Sequence, residues 1–311
     1  MTTIRPRMGV VLPRDLPSPL VLEYARTAER LGFDELWVVE DLGYRGGLVQ
    51  ATAVLGVTTR IRVGIGILPA AVRNVAFAAM EIATLEQLFP GRTDVGIGHG
   101  MPGWLRQAGC WPERPLTFLS EYVTALRALL GGAEAGGVRL DPSAVPAAVP
   151  PLLLGVRGPR SLALAGQIAD GTILAEPVTP EYTAAALESI APTGEHSVVT
   201  YNIGAVDDDP HAAVEAVRPG LEWIGEADWA PHLAPLPFAE EFAALRARCS
   251  TREEFVARMP EEWVRLLALA GTPEQVRDRI DELGRAGVTS SLFIPAGPDP
   301  MAALTRLAAV L

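Results

Sequence analysis

The sequence predicts an α/β fold, a (β/α)8 TIM barrel, and three observations point to it. Short apolar runs alternate with amphipathic helical runs along the whole chain, strand before helix in each pair. Eight such strands fit within 311 residues, a length that α/β barrels carry as one unit, so a single domain over 1–311 is expected. A doubly wound open sheet would use fewer strands for the same order.

Taken in order, residues 8–12 read as the first strand and 19–31 as its helix, with Leu22, Ala25 and Glu29 at helical spacing before Gly32. The second strand, 36–39, ends in the acidic pair Glu40 and Asp41. The third, 61–68, precedes a helix over 76–88 that Pro90 and Gly91 stop. The fourth, 93–97, ends at Gly98, His99 and Gly100, and the helix over 118–130 sets Leu119, Val123, Leu126 and Leu130 on one face. A loop rich in Gly, Pro and Ala, 131–150, leads to a fifth strand at 152–156, a helix at 160–169 and a sixth strand at 172–175. The seventh strand, 198–206, is followed by Asp207, Asp208 and Asp209 and a helix over 210–217. Near the C-terminus Thr272 caps a helix over 273–283, Pro273 takes its first position, and Val276, Ile280 and Leu283 form its buried stripe. An eighth strand at 288–294 and a closing helix at 301–311 complete the set. The irregular stretch 220–270, with Trp223, Trp229 and Trp263 among several prolines, reads as an insertion over one end of the barrel or as a hydrophobic satellite under the last helices.

Composition narrows the chemistry. With 49% hydrophobic residues the chain can remove roughly 75% of its unfolded surface from water. Its formal charge of −11 makes nucleic acid and anionic membranes poor partners. All 26 basic residues are arginine, so Schiff-base catalysis, pyridoxal phosphate on an internal aldimine and a Walker lysine are excluded by a missing amine. The two cysteines, Cys110 and Cys249, form no C-x-x-C, and the histidines at 99, 196, 211 and 232 are scattered, so no metal is expected. Residues 1–7 lack an apolar leader region and no membrane-spanning run follows, which leads to the expectation of a reducing cytoplasm.

In such a barrel, chemistry collects where strands end. The run Gly155, Val156, Arg157, Gly158, Pro159, Arg160, Ser161 passes from a strand end into a helix. Free helix N–H groups, close backbone approach and two guanidinium groups suit a phosphate, although a turn with solvated arginines fits the same residues. The spacing is not G-x-G-x-x-G. Gly64 and Gly66 inside the third strand mark either a bulge against which something planar lies or a tight barrel layer. His99 could bind or protonate a substrate, or serve as a local hydrogen-bond partner. Glu40 and Asp41 could act as base or acid, or pair with Arg14 or Arg45 across the rim.

These strand ends, together with GPRSLALAGQIADG at 158–171, LGFDELWVVED at 31–41, ATLEQLFPGR at 83–92 and GTPEQVRDRIDELGRAGV at 271–288, resemble the bacterial luciferase-like superfamily. Within it the chain is most similar to the deazaflavin-dependent methylenetetrahydromethanopterin reductase branch. The resemblance implies a homodimer that binds coenzyme F420, a deazaflavin, or alternatively FMN. It implies phosphate contacts at Arg157, Gly158, Pro159 and Arg160, ring contacts at Asp41, Gly66, Ile67 and Gly98, and Glu176 near the ribityl chain. A non-prolyl cis peptide between Gly66 and Ile67 is also implied. One departure stands out: the branch's dehydrogenases usually carry histidine after the acidic residue of the second strand, where this chain has Leu42. Asp41 or His99 would then replace that relay, with Glu40 beside them. The implied activity is hydride transfer to or from a small organic substrate. Residues 223–238, rich in Trp and Pro, would shape its pocket with His232 as a polar contact, although the same aromatic content fits plain packing. An FMN-dependent monooxygenase and a flavin-binding barrel without turnover are the alternatives.

Overall fold

The computed structural model describes residues 5–311. Residues 1–4, part of the stretch read above for a leader, lie outside it. Strands β1 (Arg7–Val11), β2 (Glu35–Val38), β3 (Arg62–Pro69), β4 (Thr93–Gly98), β5 (Leu152–Gly155), β6 (Gly171–Leu174) and β7 (Ser197–Val206) run parallel, each hydrogen-bonded to the next. The ring is closed by β9 (Ser290–Pro295), which pairs with β7 through Val199↔Ser290 and with β1 through Arg7↔Ser290. The expected (β/α)8 barrel is what forms.

Helices α1 (Val21–Leu31), α2 (Gly47–Val57), α3 (Val75–Leu88), α4 (Pro102–Gln107), α5 (Pro115–Leu130), α6 (Pro159–Ile168), α7 (Pro180–Ile190), α8 (Pro210–Val217), α13 (Pro273–Arg285) and α14 (Pro300–Leu307) surround the sheet. The main apolar core lies between their inner faces and the outer face of the strands. Thr272 and Gln275 make the reciprocal cap of α13 that its sequence calls for. Three of these helices escaped the sequence reading: the six-residue α4, α2 and α7. Apolar residues dominate α2 on all sides, so it lacks the 3.6-residue contrast that marks the others. In α7 the stripe is weak, although Thr179 accepts from the Tyr182 N–H and Pro180 opens the helix.

The stretch 220–270 satisfies both earlier readings. Short helices α9 (Ala230–Leu233), α10 (Ala239–Ala247), α11 (Arg252–Arg258) and α12 (Glu261–Leu267) enclose their own apolar cluster around Leu221, Ile224, Phe242 and Phe255. That cluster continues into α8 and the end of β7. A ninth strand that the sequence reading did not include, β8 (Leu269–Gly271), pairs with the last residues of β7. The segment also reaches over the barrel's C-terminal mouth. The Trp229 indole N–H donates to the Glu176 carbonyl at 3.0 Å, and the His232 ring stacks on Tyr182 at 4.2 Å. Nδ1 of His232 lies 3.2 Å from the Pro177 carbonyl oxygen. His232 is therefore buried packing rather than an accessible polar contact, and burial pushes its pKa down to about 3.

Inside the barrel, Trp37, Val11, Leu153, Ile173, Val199, Tyr201 and Leu292 fill the lumen. Beneath them the carboxylate of Glu35, fully buried, accepts from the Trp37 indole at 2.8 Å and the Ser290 hydroxyl at 2.7 Å, and pairs with Arg7 at 2.6 Å. Burial raises the Glu35 pKa and Arg7 opposes that rise. Among the described residues no helix is long and apolar enough to cross a membrane.

Two measurements check this account. Glu35→Ala strands the indole N–H, the hydroxyl and one face of Arg7, so urea denaturation should show a loss of about 3 kcal/mol. For His232 the unfolded chain takes up the proton first, near the ordinary pKa of 6.5, while the folded protein holds the ring neutral until about pH 3. Stability should therefore fall across that window as the pH drops, by on the order of 4 kcal/mol, and His232→Gln should flatten this part of the profile.

Candidate active site

The C-terminal mouth has a floor built around an irregularity in β3. Ile65 pairs with Val95 and Leu68 with Ile97, so β3 holds one residue more than β4 between the same two rungs. The extra residue falls at Gly66 and Ile67, and the peptide bond between them is cis, as the resemblance implies. Of the two readings for the glycines of the third strand, the tight layer describes their inner side. A Cβ on Gly64 would lie 2.1 Å from the Trp37 indole, and one on Gly66 would lie 1.7 Å from the Tyr201 hydroxyl oxygen. The Ile67 side chain crosses toward β4 and β5, where a Cβ on Gly98 or Gly155 would meet it at 3.2 and 2.4 Å. Gly66, Ile67, Gly98 and Gly155 thus share one surface.

The acidic pair after β2 is held by arginines. Asp41 bonds Arg14 at 2.7 Å, one of the pairings the sequence allowed, and the Arg14 guanidinium also lies 4.9 Å over the Tyr44 ring. Glu40 instead receives both forks of Arg73, Nη1 at 2.5 Å and Nη2 at 2.8 Å, and accepts the Gly47 N–H at 2.6 Å. Arg45 donates to the carbonyls of Arg14 and Leu16 and pairs with neither acid. Bidentate pairing of this kind fixes position more firmly than a point charge would. Arg73 went unnoticed in the sequence, although an arginine four residues beyond the end of a barrel strand is a rim position.

His99, next after β4, is partly buried, and its pKa is lowered by that burial. Among the described residues no side chain bonds its ring, so nothing ties it to Asp41 or Glu40.

On the opposite side of the mouth β5 hands over to α6. Gly158 is the N-cap, Pro159 the first helical residue, and no side chain caps the helix. Its first-turn N–H groups are left for a partner. A Cβ on Gly158 would meet nothing within 4 Å. Arg157 lies 4.9 Å over the Trp229 ring and donates to the Asp228 carbonyl at 3.2 Å, whereas Arg160 is exposed and has no acidic partner among the described residues. Glu176 follows β6. Burial raises its carboxyl pKa, and Arg157 pulls against that rise. The free helix N-terminus, the open space above Gly158 and two guanidinium groups fit a phosphorylated coenzyme, and the apolar, glycine-lined floor fits a flat ring.

Known proteins resemble this chain along most of its length. The profile of the luciferase-like monooxygenase family matches residues 12–290. The 5,10-methylenetetrahydromethanopterin reductase of Methanolobus tindarius is 27% identical over 313 aligned positions, covering 91% of this chain and 94% of that protein. Among solved structures, the coenzyme F420 dependent tetrahydromethanopterin reductase from Methanopyrus kandleri superposes with a TM-score of 0.79 at 23% identity over 98% of both chains. An F420-dependent secondary alcohol dehydrogenase in complex with an F420-acetone adduct gives 0.75 at 21% identity over 99% of this chain and 98% of that one. With a family match that spans most of its length, on a barrel that carries the expected bulge and an open helix N-terminus, the chain belongs to the luciferase-like monooxygenase family.

Proposed function

We propose that this protein is an oxidoreductase that uses coenzyme F420 to move a hydride to or from a small organic substrate. The observation that carries the reading is the uncapped start of α6, with Gly158 open to the mouth and Arg157 and Arg160 beside it. Relatives named as F420-dependent reductases and dehydrogenases support the choice of deazaflavin over FMN. When bound, the coenzyme supplies hydride exchange, and the protein supplies position and electrostatics.

In this reading Arg157, Gly158, Pro159 and Arg160 hold the phosphate through two charged forks and the helix N–H groups. Gly66, Ile67 and Gly98 form the dry platform for the ring, and Asp41 stands at its edge, kept in place by Arg14. Glu176 accepts from the hydroxyls of the linking chain. The neutral ring of His99 takes or gives the proton that accompanies hydride transfer, the task for which Leu42 has no group. Glu40, committed to Arg73 and Gly47, holds the rim so that Asp41 stays oriented.

The chain works as one domain over 1–311, in the cytoplasm, and as a homodimer. Large apolar side chains stand exposed on α2 and α3, with Val49 at 76%, Phe77 at 64% and Met80 at 50% of their full accessible surface, which supports a partner copy there.

Fluorescence titration tests the coenzyme reading. Micromolar or tighter binding of coenzyme F420 is expected, weakened about 100-fold by Arg157→Ala with Arg160→Ala. Tighter binding of FMN together with oxygen uptake would favour the monooxygenase alternative, and binding without turnover of any donor would favour the barrel that only binds. For the dimer, Phe77→Glu with Met80→Glu should halve the mass seen by light scattering while leaving the circular dichroism spectrum unchanged.

A further inference from the structure

Beyond the residues given a role so far, the lumen presents a hydroxyl directly beneath the floor of the mouth. Tyr201 lies in the middle of β7, opposite Leu292 of β9, and its side chain points inward with Val199 and Ile173. Its hydroxyl donates to the Gly66 carbonyl at 3.4 Å, long for an O–H···O bond, which is most often near 2.7–2.8 Å. No other residue at 66 would allow that approach, since a Cβ there would lie 1.7 Å from the phenolic oxygen. The ring is not free to swing away. It meets Trp37 edge-on with centroids 6.0 Å apart, and Trp37 is in turn held by Glu35 and backed against Gly64.

We infer that Tyr201 is a positioning residue for the coenzyme platform: from inside the barrel, its hydroxyl fixes the Gly66 carbonyl and thereby the surface that the bulge at Gly66 and Ile67 offers to a planar ring. The inference rests on the coenzyme reading above. The phenol is suited to the task because it keeps its proton. Burial raises its pKa well beyond the usual value, and the charges of Glu176, Glu35 and Asp41 add to that rise. It therefore remains a donor throughout the working range. Packing alone would be served equally by phenylalanine, but phenylalanine would leave a buried carbonyl of the bulge without its side-chain partner.

The test compares Tyr201→Phe with Tyr24→Phe. Tyr24 is an equally buried phenol whose hydroxyl donates to the Val11 carbonyl at 3.2 Å on the helix side of the sheet. Both variants keep the ring and lose one hydrogen bond, so small shifts in melting temperature are expected for each. Only Tyr201→Phe should raise the dissociation constant of coenzyme F420, by about 5- to 10-fold, and move the absorption maximum of the bound coenzyme toward that of the free form. If Tyr201→Phe binds as the wild type does with an unshifted spectrum, or if Tyr24→Phe produces the same changes, the positioning role is overturned while the coenzyme reading stands. If the wild type binds neither coenzyme F420 nor FMN, the coenzyme reading falls, and this inference falls with it.

Discussion

The lumen of a closed eight-stranded barrel is only wide enough for side chains to fill it, and here that space is given to an indole and a phenol. They fit because β3 carries glycine at the two places where they press hardest, Gly64 under Trp37 and Gly66 over Tyr201. Glu35 anchors the indole from below, and with Arg7 and Ser290 it makes the buried polar knot of the lower barrel. A carboxylate this deep costs several kcal/mol to desolvate, and it is held because Trp37 and Ser290 donate to it while Arg7 supplies the opposite charge. The mouth's floor is the upper face of the same stack. Bulge, crossing isoleucine and glycine-lined β4 and β5 follow from how the lumen is packed.

Charge is arranged by the same economy of residue types. In an acidic chain without lysine the cationic partners of carboxylates are mainly guanidinium groups, and the two acids after β2 are each met by one: Asp41 by Arg14, and Glu40 by the bidentate fork of Arg73. Forks restrict geometry in a way that ammonium groups do not. The acids after β2 are thus set in orientation, and the excess positive charge is concentrated across the mouth at Arg157 and Arg160.

Much of this was legible in the residues. All eight barrel strands were visible because each is an apolar run between turn-formers, and α13 was visible because its cap, its opening proline and its stripe agree. The uncapped start of α6 could be read from Gly158 and Pro159, because glycine followed by proline at a strand end opens a helix without offering a side-chain cap. What stayed hidden depends on contacts across the fold. Helix α2 carries too little polar contrast to declare a face. The partner of Glu40 lies thirty-three residues away, on the loop after another strand. Tyr201 sits in a run of apolar strand residues, where nothing local distinguishes a core ring from one that reaches a bulge 135 residues distant. The rings that explain Gly64 and Gly66 belong to β2 and β7, so the glycines announced a close approach without saying what approaches.

The hold on Arg157 has an entropic consequence. A free arginine gives up about 2 kcal/mol of rotamer freedom when it is fixed. Here the stacking on Trp229 and the bond to the Asp228 carbonyl already restrict its side chain before any ligand arrives. The segment that supplies both contacts takes little part in closing the barrel, so it can differ widely among proteins of this architecture. With Arg157 on the coenzyme phosphate as proposed, variation in that segment would adjust how tightly the phosphate is held without altering a residue that touches it.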